Sequence, residues 1–296
     1  MKSKVYFTKE ITADSLIKMY ETLGVELPGK VGVKVSTGER GSKGYLKADL
    51  IAPLVKKING TIIECNTAYP ETVRDSYEEH MKVAKEHGFT DFAEVDIMDK
   101  DGEFEIPVPK NSKHLKYDKI GENFKIYDSI LNLAHGKGHF AGGFGANLKN
   151  QAIGIASRNG KAYIHSCGQT EDPVECWNAK FEQVDFIESM AEAATAVSDY
   201  LKENNKPILY ITVANAISLD CDCDCRQGDP VINDIGIFGS LDPVANDQAF
   251  LDAIWNTNEA GTKDIQERID TRHGRHITEY AESLGLGTTD YELIEI

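Results

Sequence analysis

The sequence predicts an α/β fold: a mostly parallel sheet, or sheets, flanked by helices in three layers. Three observations predict it. Short apolar runs recur along the chain, among them KVGVKV at residues 30–35, TIIEC at 61–65 and PILYITV at 207–213. Segments of helical periodicity separate them. Polar loops such as STGERGSKGY and NTAYPETVRDS follow the runs, where an α/β sheet places its ligand-binding turns.

Taken in order, residues 4–7 read as a short strand, and Leu16, Ile17, Tyr20 and Leu23 recur at helical spacing within residues 13–23. KVGVKV alternates as a strand and runs into STGERGSKGY, with a helix expected at 48–58. TIIEC is the next strand, and the NTAY loop leads to a helix through His87. Residues 125–133 read as a strand feeding a glycine-rich loop, HGKGHFAGGFGANLKN, and residues 162–165 as another short strand. The longest helix is expected at 174–204, entered at Asp172 and Pro173, with Phe181, Val184, Ile187, Met190, Ala191 and Ala194 as its apolar stripe. PILYITV is a buried strand, 221–229 a loop and 235–238 a short strand. Residues 243–255 read as a helix capped by Asp242. A charged helix is expected from Thr262 to Leu284, and YELIEI as an edge strand. The chain reads as one unit over 1–296, divisible into sub-domains 1–130 and 131–296.

Composition narrows the function. The 296 residues carry a formal net charge of −16, so the average surface repels a phosphate backbone and nucleic acid is not an expected partner. No run approaches the roughly 18 to 20 apolar residues of a membrane span, and the N-terminus lacks the apolar stretch of a signal peptide. A cytoplasmic location is the expectation. Six cysteines in such a chain do not suggest a disulfide scaffold; Cys65, inside an apolar run, reads as a small buried hydrophobe.

The residues 135–150 carry the most unusual text. His135 and His139 are four apart, but Gly136 and Gly138 disfavour a helix, so a loop is expected. Its imidazoles suit a transition metal. Gly142, Gly143 and Gly145 could open backbone N–H groups to an anion, with Lys137 and Lys149 adding charge. The segment therefore reads as a metal site, an anion cradle, or a structural turn with solvated histidines. A Walker loop is excluded by the missing Gly-Lys-Ser/Thr, and the glycine spacing does not fit a dinucleotide fingerprint.

In LDCDCDCRQGDP, alternation puts Cys221, Cys223 and Cys225 on one side of an extended backbone and Asp220, Asp222 and Asp224 on the other. Crowded thiolates favour a bound cation, while neighbouring carboxylates raise thiol pKa values, so a metal site is preferred over a lone nucleophile. The spacing is not that of a zinc finger, and partner ligands must converge through the fold. HSCGQTEDPVEC, residues 165–176, reads as ordinary helix-entry text. STGERG offers Ser36, Thr37, Glu39 and Arg40 to a ligand, with Arg40 suited to a carboxylate or phosphate, and Asn66, Thr67 and Tyr69 could line the same cleft. His273 and His276 read as part of a solvated helix face.

Together, VKVSTGERGSKGYL, the text from Cys65 to Arg74, the stretch from HGKGHF to HS, and CDC followed by DPVINDIGIFGSLDPVANDQA resemble the family named domain of unknown function 362. Many members carry a ferredoxin-like insert with two four-cysteine clusters after HS and are labelled iron–sulfur proteins. This chain has only Cys167 and Cys176 before the long helix, so no intact four-cysteine iron–sulfur motif carries over. The resemblance carries over Lys137 to Gly145, Lys149, Asn150, Ser157, Arg158, His165, Cys221 and Cys223. The order His139, Gly142, Gly143, Lys149 also resembles lactate racemase-like proteins, in which such residues surround a nickel-pincer nucleotide.

The expected protein is thus an α/β protein with a metal or metal-cofactor cleft. His135, His139, His165, Cys221 and Cys223 are its candidate ligands for zinc, iron or nickel. Lys137, His139 and Lys149 are the candidate catalytic residues, and Ser36, Thr37, Arg40, Gly142, Gly143 and Gly145 the candidate cofactor-binding ones. Isomerisation or redox chemistry on a small carboxylate is the expected reaction class. A non-catalytic protein that binds a small molecule or anion, or an electron-transfer accessory, is the alternative. Nothing in the sequence sets the oligomeric state.

Overall fold

The computed structural model describes residues 2–69, 72–223 and 228–296. Chain order runs β1 (Ser3–Thr8), α1 (Ala13–Leu23), β2 (Val31–Lys34), α2 (Ala48–Lys57), β3 (Gly60–Glu64), α3 (Tyr77–Glu86), β4 (Val95–Ile97), β5 (Glu103–Ile106), β6 (Asp118–Gly121) and β7 (Ser129–His135). It continues with β8 (Lys137–His139), β9 (Gly143–Gly145), α4 (Asn147–Ile155), α5 (Arg158–His165), α6 (Gln183–Glu203), β10 (Ile208–Ala214), β11 (Gly236–Ser240), α7 (Pro243–Trp255), α8 (Thr262–Thr271), α9 (His276–Ser283) and β12 (Tyr291–Glu295).

The main sheet has the order β12-β1-β11-β10-β7-β2-β3-β4. β10, β7, β2, β3 and β4 pair in parallel, as do β1 and β12, while β11 runs against both its neighbours. The protein is therefore α/β with a mostly parallel sheet. Alternation along the strands sorts side chains to two faces. Leu131 and Leu133 of β7 and Leu209, Ile211 and Val213 of β10 pack with α1 and α2 on one side. Ile130 turns to the other, against Ile155 of α4 and Val197 of α6. These helical layers bury the sheet on both faces, which is why its strands read as apolar runs.

Two short hairpins, β5–β6 and β8–β9, stand outside the sheet. Among the described residues no helix is long and apolar enough to cross a membrane.

Several local expectations are corrected. Residues 162–165 are the last turn of α5, not a strand: Ser157 caps that helix by accepting from Gly160 N at 3.0 Å. α6 begins at Gln183, where Glu182 and Asp185 form a capping box. Asp172 instead accepts from the N–H groups of Val174 and Glu175 in a short turn ahead of the helix, leaving Phe181 outside the stripe. The charged C-terminal helix is broken into α8 and α9 at His273 and Gly274, with His273 at φ 53°. The strand expected at 125–133 starts at Ser129, because residues 122–126 form a 3-10 turn.

Asp242 joins the C-terminal segment to the sheet. Its Oδ1 accepts from Val244 N and Ala245 N, capping α7, while Oδ2 accepts from Ser3 Oγ at 2.7 Å and Thr288 N at 3.0 Å. Asp242→Ala is expected to cost about 1–2 kcal/mol, read as a lower urea midpoint at unchanged slope.

Candidate functional site

The carboxyl ends of β2, β3 and β7 converge on a cavity of about 60 Å³. Lys34 closes β2 and Ser36 follows it; Glu64 ends β3, with Cys65 and Thr67 next; His135 ends β7. The hairpin β8–β9 and the first turns of α4 form one wall, and Cys221, Asp222 and Cys223 form another.

The hairpin replaces the expected open loop, and both His139 within it and His135 at the end of β7 are buried rather than solvated. Glycine makes the hairpin feasible where backbones meet. A Cβ on Gly138 would lie 2.4 Å from the Leu219 carbonyl oxygen, and Gly138 N donates to Ser218 O at 2.8 Å. Gly143 takes φ 80° in the strand that pairs back on His139. The hairpin hands the chain to α4, whose N-terminus is capped from another element: Asp247 of α7 accepts from Asn147 N at 2.8 Å and Leu148 N at 2.9 Å. Lys149 therefore sits in the first turn of α4, facing the sulfur of Cys221 at 4.0 Å.

Asp222 is fully buried and holds the walls together. Its Oδ2 accepts from Lys137 Nζ and His135 Nδ1, each at 3.1 Å, and its Oδ1 from Ser36 Oγ at 3.1 Å. Burial alone would raise its pKa, but Lys137 and His135 outweigh burial and hold the carboxylate well below the usual range. The same pairing, against burial, raises Lys137 above an ordinary lysine. His135 has an oxygen at each ring nitrogen, Asp222 Oδ2 at one and Asn215 O at 2.6 Å at the other, so the ring is committed to positioning Asp222.

His139, Cys221 and Cys223 place one donor atom each within 4.8 Å of one another, a group that could hold a metal ion. The hydrogen bonds around His139 assign its tautomer. Nδ1 accepts from Ala141 N at 3.2 Å and Gly142 N at 2.9 Å, so the proton of the neutral ring lies on Nε2, 3.8 Å from Cys223 Sγ. Burial, helped by Lys149, lowers the His139 pKa to about 4, which keeps the ring neutral at pH 7. Hydrogen bonding from the Cys221 thiol, outweighing burial and joined by Lys149 and His139, holds Cys223 well below an ordinary thiol. Cys221 is pushed up by burial and by the same pairing. Tyr69, raised by burial and then by both sulfurs, keeps its phenol protonated beside Cys223.

His165 is arranged the opposite way. Its Nδ1–H donates to Lys161 O at 2.7 Å, and its Nε2, buried, has no hydrogen-bond partner among the described residues. Its ring stacks on Phe186, with Tyr69 and Trp177 on other sides. It does not fall within the close group of His139 and the two cysteines.

Other sequence-selected residues separate. Thr37 is buried, its backbone N–H donating to Glu64 at 2.9 Å and its hydroxyl to the same oxygen. Arg40 points outward and makes a bidentate pair with Glu86 at 2.8 and 2.9 Å, so its fork is occupied away from the cavity. Gly142 serves His139, and Gly145 lines the cavity. Asp220 turns outward to Arg268. Cys225 and Asp224 lie outside the described residues. Cys167 and Cys176 are pushed by burial up to about 12 and about 11, as expected for inert thiols.

The structure adds Lys34, Glu64, Arg74 and Lys161 to the Lys137 and Lys149 selected from the sequence. Among the described residues, five cationic side chains, Lys34, Arg74, Lys137, Lys149 and Lys161, line the cavity against two carboxylates, Glu64 and Asp222. Lys161 is 4% exposed and donates only to backbone, Ala156 O at 2.6 Å and Cys65 O at 3.3 Å. Lys34 lies 3.8 Å from Glu64, yet burial wins and its pKa falls from 10.5 to about 8. Burial would raise Glu64, but His80, Lys34 and Arg74 bring it far below the usual range. The signal was present as charged residues inside apolar text, Lys34 in VGVKV and Glu64 in TIIEC, where a charge needs a partner.

A parallel-sheet α/β protein with a charged cavity at its strand ends is the class these features define. The chain belongs to the family described as Domain of unknown function (DUF362), whose model matches residues 31–252. No curated protein matches it. Among solved structures it is similar to the lactate racemase apoprotein from Thermoanaerobacterium thermosaccharolyticum, at 12% identity and a TM-score of 0.43, covering 86% of this chain and 57% of that one. It is also similar to a Thermotoga maritima protein, at 13% identity and a TM-score of 0.41, covering 93% of this chain and 59% of that one. The chain thus spans under two thirds of the length of these structures.

Arg74, 2% exposed, bridges Glu39 at 3.4 Å and Glu64 at 3.5 Å. Arg74→Met leaves a buried carboxylate without its cation, so a loss of about 3 kcal/mol in denaturant unfolding is expected.

Proposed function

We propose that the cavity binds a small anionic molecule, a carboxylate before all, and that the protein is an isomerase or redox enzyme acting on it. The observation that carries the reading is the cation surplus: among the described residues, five cationic groups against two carboxylates line one cavity, in a chain of net charge −16. Lys149 and Lys161 have no carboxylate within ion-pair distance among the described residues, and Lys161 is buried, where an ammonium is costly until an anion meets it. The charge of Lys137, secured by Asp222, suits it to stabilise an oxyanion rather than to take a proton.

The sulfurs of Cys221 and Cys223 fit a soft transition metal such as zinc, iron or nickel. His139 fits only after its Nε2 proton leaves, because backbone N–H groups hold Nδ1. A single ion there, rather than an iron–sulfur cluster, would supply a Lewis-acid or electron-accepting centre beside the ligand. As the chain stands, His139 is suited to hydrogen-bond from Nε2–H to sulfur or ligand, while Lys149 and Lys161 orient the carboxylate. A second reading, a binding protein without turnover, is favoured by one fact: the only lone pair of neutral His139 is taken by two backbone N–H groups, so that ring cannot act as a base.

Calorimetry against a panel of small carboxylates and inorganic phosphate tests the anion. Binding is expected, and Lys149→Met should weaken it by about 10-fold or more at an unchanged melting temperature, the loss of one charge-assisted hydrogen bond of ~1.5–3 kcal/mol. No binding of any of these anions at millimolar concentration would end the reading. Proton exchange at the ligand's α-carbon, followed by NMR in deuterium oxide, separates enzyme from binding protein. Affinity should also depend on pH. Lys34 must be charged to attract the anion, so affinity holds below pH 8 and declines above it by up to about tenfold per pH unit. Lys34→Met is expected to flatten that decline. Elemental analysis after anaerobic purification reads the metal, and a metal-free protein indifferent to chelator would remove it from the proposal.

A further inference from the structure

The Cys221–Cys223 pair has a second chemistry that needs no metal. The two sulfurs belong to a group of donor atoms within 4.8 Å of one another, and they differ in environment. Cys221 is 2% exposed, and its thiol faces Asp222 Oδ1 at 3.3 Å. Cys223 is half-buried at the cavity, with His139 Nε2–H aimed at its sulfur from 3.8 Å. Since Nδ1 of His139 is committed to two backbone donors, that ring can only donate to Cys223 while it stays neutral. Exposure thus puts the Cys223 sulfur within reach of an oxidant and leaves the Cys221 sulfur enclosed beside it. That is the division of labour of an attacking and a resolving cysteine.

We infer that Cys221 and Cys223 form a redox-active dithiol that a small-molecule disulfide oxidises to an intramolecular disulfide. The Cys223 thiolate attacks one sulfur of the oxidant, forming a mixed disulfide and expelling the first thiolate. Cys221 then attacks the Cys223 sulfur, expelling the second thiolate, which takes up the Cys221 proton. Two electrons pass from the pair to the oxidant, which leaves as two thiol-state molecules. Closing the bond calls for movement of the half-buried Cys223 toward Cys221, because Gly138 and the Leu219 carbonyl are in backbone contact beneath the loop. The disulfide and a metal would compete for the same sulfurs. The inference goes beyond the anion reading and does not rest on it.

The experiment uses the full chain carrying Cys225→Ser, so that a third thiol two residues further along the sequence cannot confuse the pairing. The metal-free protein is treated with oxidised glutathione and mapped by mass spectrometry. The expected product is two hydrogens lighter, with Cys221 and Cys223 linked, and dithiothreitol reverses it. Cys221→Ser should halt at a stable glutathione adduct on Cys223, and Cys223→Ser should gain no adduct at Cys221. Far-UV circular dichroism shows that each variant is folded. A glutathione adduct that persists on Cys223 when Cys221 is present would overturn the inference. So would thiols that stay reduced in the folded protein, or equal reactivity of both cysteines. Zinc added alone before the oxidant is expected to slow the reaction at least severalfold; no protection would separate a working dithiol from a failed metal site, since anion binding is read independently.

Discussion

Everything at the strand ends depends on the burial of Asp222. A carboxylate with no solvent must be matched by donors, and here they come from three places: Ser36 after β2, His135 at the end of β7 and Lys137 in the hairpin. Its backbone carbonyl accepts from Glu39 N at 2.7 Å, adding a fourth tie. Satisfying one charge therefore brings loops far apart in sequence into one wall, and it sets the cysteines on either side of it. Removing that carboxylate would leave Lys137 and His135 buried without their acceptor and free three segments at once.

The histidines follow from the same economy of donors and acceptors. Three were equivalent as candidate metal ligands by type, yet their hydrogen bonds make them different tools. His135 is closed at both nitrogens, His139 is fixed as an Nε2–H donor, and His165 keeps a bare, buried Nε2. Residue type names what a side chain can do; the neighbouring backbone N–H and C=O groups decide which of those things it does.

Much of the fold was legible because period and punctuation agree. KVGVKV, TIIEC and PILYITV are strands, and Asp242 before Pro243 marks the start of α7. The failures have physical causes. Residues 162–165 look like a strand only if the cap at Ser157 goes unseen, and TRHGRH hides a helix break because His273, not a glycine, takes the left-handed turn. For the site, the cysteines, Lys137, Lys149 and the glycines of the hairpin could be picked from text. Arg40 and Arg74 could not be ranked, since nothing local says that one pairs with Glu86 at the surface and the other sinks between Glu39 and Glu64. The role of Asp222 was not legible either: strict alternation sets it across the backbone from the cysteines, whereas its carboxylate lies 3.3 Å from the Cys221 sulfur and is held there by Lys137 and His135.

The separation of charge between outside and inside has a kinetic corollary. A surface that is strongly negative on average surrounds a cavity whose lining is positive, so an anion meets a barrier before it meets a well. Dissolved salt screens exposed charges beyond about 8 Å at physiological strength but reaches the buried lysines far less. Raising ionic strength therefore speeds entry while altering the depth of the well little, the reverse of an enzyme whose basic surface steers its substrate.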